Sequence, residues 1–266
     1  MSDVTEIAWT DHTFNPWWGC ARVSPACRFC YADSLAKRYG HEIWRRNGDR
    51  RILSEQNWRK PLKWNRDAEA AGVPAKVFCA SMADVFEDHP QLVEPRERLW
   101  GVIEATPWLR WQLLTKRPEN VASMAPWGEN WPAHVWLGTS VENQRWANAR
   151  VPVIRKVPAK VRFLSAEPLL GYVDILEHLA SGDIHQVIVG GESGNGSKIR
   201  PMQLACARHL IGQCRQYEVA AFMKQTGSVY AKANGYQNRK GADPAEWPWD
   251  LQVRQYPADA ALAVTS

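Results

Sequence analysis

The chain reads as an α/β protein built on a parallel sheet, and three observations predict it. Short runs of apolar, β-branched or aromatic residues alternate with longer segments that are helix-like in composition or periodicity, the pattern of repeated βαβ units. Polar motifs follow nearly every apolar run at once, as they do where a parallel sheet presents its C-terminal edge. A length of 266 residues, 45% hydrophobic and 23% charged, allows one large α/β domain or two small ones. Six or seven such units suit a partial or near-complete (β/α)6–7 barrel. A flat doubly wound sheet obeys the same edge rule, so spacing leaves both architectures open.

In chain order, the strands are expected at residues 14–17, 77–81, 111–115, 135–139, 162–165, 186–189 and 221–224. Helical segments are expected between them at 31–39, 91–105, 119–124, 144–153, 173–179 and 204–217. Right-handed crossovers then bring every strand's C-terminal end to one side. Asp84 follows the second strand, Lys116 and Arg117 the third, and Ser140 and Glu142 the fourth. Glu167 follows the fifth and Glu192 the sixth. Residues 1–230 are read as the barrel and 231–266 as a C-terminal extension. Within the extension, 234–248 is rich in Gly, Asn, Pro and charge, a loop-like cover, and 258–266 is expected to be poorly ordered.

Composition narrows the setting. There is no apolar run near the 18 or so residues of a membrane span. The N-terminus lacks the basic and apolar regions of a secretory signal, so a reducing cytoplasm is the expected compartment, where thiolates stay available for metal. A net charge of +5 is compatible with a polyanionic substrate or with a mildly positive solvated surface. The 15 tryptophans are the compositional outlier. Indoles can stack on bases, but each buries a large area, and packing is the commoner use.

The densest chemistry lies near the start, where Cys20, Cys27 and Cys30 fall within eleven residues as C-x6-C-x2-C. Three clustered thiolates can hold three irons of a [4Fe–4S] cube and leave the fourth open to a small molecule, whereas four cysteines are the ordinary set. The competing reading is a Cys3His zinc site completed by His12 or His41. Zinc ligands usually come as two close pairs, and no second pair exists here. Cys79 reads as a buried small hydrophobe, and Cys206 and Cys214 as neighbours on one face of a helix.

The run Cys27-Arg28-Phe29-Cys30 resembles the second half of the radical S-adenosylmethionine signature, C-x3-C-x-aromatic-C, with a first gap of six residues instead of three. The likeness is closer still to a phage- and prophage-associated family of that superfamily, of unassigned function. It extends through Trp9-Thr10, Asn15-Pro16, Gly19-Cys20, residues 113–118, 140–143, 166–168 and 190–194, and so covers roughly residues 5 to 245. The resemblance implies a barrel core, a cluster ligated by Cys20, Cys27 and Cys30, and S-adenosylmethionine on the open iron. Reduction of such a cluster cleaves the sulfonium and gives a 5′-deoxyadenosyl radical. It further implies that Phe29 lies beside the adenine, with Tyr31, on the other side of Cys30, also at the cofactor, that Ser81 and Asp84 grip the amino nitrogen, and that Ser140 and Glu142 contact the ribose. Glu192 would point into the barrel. Packing, capping or a rim loop are the structural alternatives at these positions.

The stretch from Gly190 to Lys198 mimics a phosphate loop but reads G-x4-G-S-K, the reverse of the order that a nucleoside triphosphatase needs. Lys116, Arg117, Lys198, Arg200 and Lys224 could form a positive rim. The expectation is therefore a radical S-adenosylmethionine enzyme supplied by a reductant such as flavodoxin or ferredoxin, abstracting hydrogen from its substrate. Charge, tryptophans and the phage association lean towards a nucleic acid or nucleotide over a peptide or small metabolite. The rival is a non-enzymatic, zinc- or cluster-stabilised nucleic-acid-binding protein.

Overall fold

The apolar runs become the strands of one curled, seven-stranded parallel sheet, a half-barrel, in a computed structural model that describes residues 5–194 and 197–258. The chain begins with β1 (His12–Thr13), followed by an N-terminal lobe of β2 (Trp17–Trp18), α1 (Tyr31–Arg38) and β3 (Arg51–Ile52). Helices α2 (Glu55–Trp58) and α3 (Lys60–Ala71) lead into β4 (Ala75–Cys79). Strand–helix pairs then repeat: α4 (Val93–Glu104), β5 (Leu109–Thr115), α5 (Val121–Met124), β6 (Val135–Ser140), α6 (Gln144–Ile154) and β7 (Arg162–Ala166). The series closes with α7 (Leu176–Ala180), β8 (Gln186–Gly190), α8 (Leu204–Gln216), β9 (Ala220–Gln225) and α9 (Ser228–Ala233).

The sheet order is β1-β4-β5-β6-β7-β8-β9, with every pair parallel. No strand order reverses, so there is no topological switch point, and the doubly wound alternative falls away. Successive same-handed crossovers place the helices on one face and curl the sheet around the other. The first expected strand, 14–17, is displaced: the sheet takes His12–Thr13, and Trp17–Trp18 pair antiparallel with Arg51–Ile52 in a separate ribbon. Asn15-Pro16 ends the run, because proline has no amide N–H to donate to the ladder.

Side-chain alternation divides the strands between two environments. Val77, Trp111, Leu113, Val135 and Leu137 pack outward beneath the helices of the first half, and Leu164, Val187, Val189, Ala221 and Met223 beneath those of the second. The concave face carries Phe78, Trp136, Phe163, Ile188 and Phe222, which close over Trp9 as a separate apolar plug. Each such side chain contributes about 1.5–3 kcal/mol by leaving water. Most of the tryptophans, among them Trp9, Trp17, Trp18, Trp58, Trp64, Trp127, Trp131 and Trp136, are buried, so packing is their role.

The open edge of β9 is covered by the chain's own extension: Phe222 bridges Arg254 antiparallel, and Met223 N–H donates to the Val253 carbonyl at 2.8 Å. This shields an otherwise unpaired strand. Of the expected tail, residues 259–266 lie outside the described residues, as do Asn195 and Gly196 of the glycine-rich turn. Among the described residues no helix is long and apolar enough to cross a membrane.

Candidate functional site

Toward the C-terminal end of the sheet the concave face changes from apolar to polar. The same alternation that points Trp136 and Phe163 inward points Ser140, Ser165 and Glu167 inward one or two steps later. Ser140 and Ser165 are paired across β6 and β7. Lys224 on β9 reaches Glu167 at 3.0 Å, and Ser165 Oγ lies 3.4 Å from the same carboxylate. Ser140 is fully buried, and its hydroxyl has no hydrogen-bond partner among the described residues.

Over this mouth lies the loop that carries the three cysteines. Gly19 opens it, bridged to Ala83 just beyond β4, with φ at +114°. A side chain there would be strained, and its Cβ would come within 2.9 Å of Arg50. Ala21 is clamped from both sides: its N–H donates to Glu87 at 2.7 Å, and its carbonyl accepts from Arg117 at 2.8 Å. Pro25–Cys27 forms a single helical turn whose Ala26 N–H points at Glu142, 3.4 Å away. The Pro25 carbonyl accepts from Arg200 at 3.0 Å. Cys30 is the N-cap of α1, and the Tyr31 hydroxyl donates to the Ser81 carbonyl at 3.0 Å. The loop is thus fastened to the regions following β4, β5, β6 and β8.

Buried charges do the fastening. Asp84 accepts from Thr115 Oγ1, the Phe86 and Lys116 amides and Arg117, all between 2.8 and 3.1 Å. Glu87 pairs with Arg50 at 2.8 Å, and Glu142 with Arg150 at 2.9 Å. Glu192 pairs with Arg200, whose guanidinium also lies 5.2 Å from the centre of the Phe29 ring. Buried carboxylates are tolerated only when paired in this way. Asp84 therefore caps no helix, and its oxygens are occupied by its own strand ends. Ser81 Oγ accepts from Asn15 Nδ2 at 3.0 Å, while Asn15 Oδ1 takes the Met82 amide at 2.7 Å.

Each cysteine lies in the field of a cation. Arg117 Nη1 is 3.6 Å from Cys20 Sγ. Burial pushes the Cys20 thiol up, and Arg117 pulls against it. Burial also raises Cys30, opposed by the α1 amide of Asp33 and by Lys116. Burial lowers Arg150, opposed by Glu142 and then by Cys27. Burial works against the Arg117 charge too, but Asp84, Cys20 and Glu87 outweigh it and hold that pKa up. Among the described residues no three His, Cys, Asp or Glu side chains are gathered as a metal-holding group. His12 lies flat on Trp64, 4.4 Å between ring centres, and His41 packs edge-on to Trp18.

Of the expected positive rim, Arg117, Arg200 and Lys224 are ion-paired, while Lys116 and Lys198 have no carboxylate partner among the described residues. Cys79, Cys206 and Cys214 are buried away in the core, where burial alone pushes Cys214 up to about 12. Sequence reasoning missed Glu87, Arg150 and Ser165 as site residues, and it named Glu167 and Lys224 without pairing them. Ser165 and Lys224 carried the signal of a strand position and Glu167 that of a strand end, whereas Glu87 in the loop after β4 and Arg150 within α6 carried none.

The profile of the family described as "Protein of unknown function (DUF5131)" matches residues 4–255. The chain belongs to that family. No curated protein and no solved structure matches it. The DUF5131 match spans the half-barrel, the cysteine loop and the strand that covers β9, so the mouth and the loop over it belong to one family unit.

Proposed function

We propose that this protein is a radical S-adenosylmethionine enzyme, with a [4Fe–4S] cluster held by Cys20, Cys27 and Cys30 over the mouth of the half-barrel. The observation that carries the reading is the loop itself. Three thiols sit on a segment that Glu87, Arg117, Glu142 and Arg200 pin across the strand ends, each thiol with a cation nearby to offset a thiolate. The fit is one of donor number, anchoring and charge, and the donor set is the soft, all-sulfur one that iron–sulfur clusters use.

With both cofactors bound, the chemistry on offer is one-electron reductive cleavage of a sulfonium and hydrogen abstraction from a substrate, the electron coming from a flavodoxin- or ferredoxin-type reductant in a reducing cytoplasm. The protein's own residues orient and enclose. Phe29, backed by Arg200, offers an aromatic face for the adenine, and the unpartnered Ser140 hydroxyl suits a ribose oxygen. Tyr31 and Ser81 hold the end of the loop against β4. Asp84, Glu142 and Glu192 act as positioning residues, because their oxygens already hold protein donors.

The test is anaerobic purification of the full chain followed by iron, sulfide and zinc analysis. About four irons and four sulfides per chain, with absorbance near 400 nm, are expected. Cys27→Ala should lose them and stay folded. Stoichiometric zinc without iron would support the rival, a metal-stabilised binding protein.

A further inference from the structure

We infer that the N-terminal lobe flanking the cysteine loop is a docking surface for a single-stranded nucleic acid. This deepens the function proposed above by naming a substrate class, and it rests on that reading only in calling the strand a substrate. The chain's charge is not spread evenly. Residues 21–51 hold eight Lys and Arg against three Asp and Glu; eight minus three is +5, the whole net charge of the protein. The remaining residues are neutral in sum, so the basic character belongs to one lobe.

That lobe faces water with its cations. Arg22, Arg28, Lys37, Arg38, Arg45, Arg46 and Arg51 are all exposed. Arg22 and Lys37 share the buried Asp33, and Arg45 pairs with Glu42. Among the described residues Arg28, Arg38, Arg46 and Arg51 have no carboxylate partner. Aromatic rings lie between them: Tyr39 is 65% exposed and Tyr31 49%. Cations interleaved with open aromatic faces match phosphates interleaved with unpaired bases. An anionic membrane would instead select an apolar face for insertion, and the lobe's exposed rings are tyrosines. Its position finishes the argument, because Tyr31 joins this surface directly to the Ser81 carbonyl at the mouth.

The test is fluorescence anisotropy of the anaerobically purified protein with a labelled, mixed-sequence single-stranded DNA of about 20 nucleotides, long enough for several contacts. Each phosphate contact adds about 0.7 to the slope of log affinity against log salt. The double variant Arg38→Ala with Arg46→Ala should lower that slope by about 1.4 and weaken binding on the order of tenfold. Lysine at both positions should restore most of it. Lys156→Ala with Lys160→Ala, exposed cations that precede β7 at the opposite sheet edge, should change little. The inference is overturned by no binding of the oligonucleotide, by equal losses in the two alanine doubles, or by binding of phosphatidylserine vesicles in its place. Binding needs neither S-adenosylmethionine nor reductant, so its failure leaves the cofactor reading standing, and the reverse holds as well.

Discussion

Arg117 places its guanidinium 3.6 Å from the sulfur of Cys20, 97 residues earlier in the chain, and donates to the next carbonyl, that of Ala21, at 2.8 Å. The same guanidinium is held by Asp84 at 2.9 Å and approaches Glu87 at 3.6 Å. All three side chains are less than a tenth exposed. Burying such charges is unfavourable unless they meet, so the pairing defines where the strand ends stop and where the cysteine loop begins.

Arg117→Ala should therefore be severe. It strands Asp84 with one fewer donor, and the loss of one partner of a buried pair costs about 3–5 kcal/mol. Denaturant unfolding should show that loss, and bound iron should fall with it. Arg117→Lys keeps the charge but not the fork that serves Asp84 and Ala21 together, so an intermediate loss is expected.

Gly191→Ala tests the approach of β8 to β9. A Cβ at this position would meet the Thr226 carbonyl at 2.3 Å, and backbone cannot step aside as a side-chain end can. Overpacking of this kind costs about 1–3 kcal/mol. A fall in Tm is expected, and an unchanged Tm would show that the two segments separate freely.

Much of this arrangement was legible in the sequence, and the parts that were not share a cause. The strands at 111–115, 135–139 and 162–165 all lie within the observed β5, β6 and β7, because fully buried parallel strands are continuous apolar runs. The first strand was misplaced because Phe14 and Trp17 are apolar for different reasons: Phe14 packs in the core edge-on to Trp58 and Trp111, and Trp17 belongs to the ribbon with Ile52. The segment 55–71 carried no expectation, although it forms α2 and α3. The cysteines announced themselves by spacing. Their anchors did not, since Glu87, Arg150 and Arg200 acquire meaning only through partners far away in sequence. For the same reason Asp84, Glu142 and Glu192 were expected to face a ligand, while each is occupied by a protein cation.

Arg200→Ala separates cofactor binding from cluster binding. The residue touches the Phe29 ring, the Pro25 carbonyl and the Glu192 carboxylate but no cysteine. Iron content should stay near that of the parent. Affinity for S-adenosylmethionine, measured by equilibrium dialysis, should drop about tenfold, equivalent to about 1.4 kcal/mol.

The pH dependence of stability has a definite sign at His134. Burial lowers its pKa below the ordinary value near 6.5, while its Nε2 donates to the Ile103 carbonyl at 3.0 Å. The unfolded chain then binds a proton at this position more readily than the folded one. Stability is full above about pH 6.5 and declines as pH falls from there toward the folded pKa. His134→Gln keeps a donor and cannot titrate, so denaturant midpoints between pH 7 and 5 should vary less than in the parent. An identical slope would remove this role. His178, also lowered by burial and by Arg155, contributes in the same direction and remains in the variant.

The most direct test of the central claim is an anaerobic assay for 5′-deoxyadenosine, with the reconstituted protein, S-adenosylmethionine and a strong one-electron reductant. The parent should release it and Cys27→Ala should release none, while both give the same circular dichroism spectrum. Release by Cys27→Ala at the parent's rate, or none from a parent shown to carry its iron and sulfide, would contradict the account.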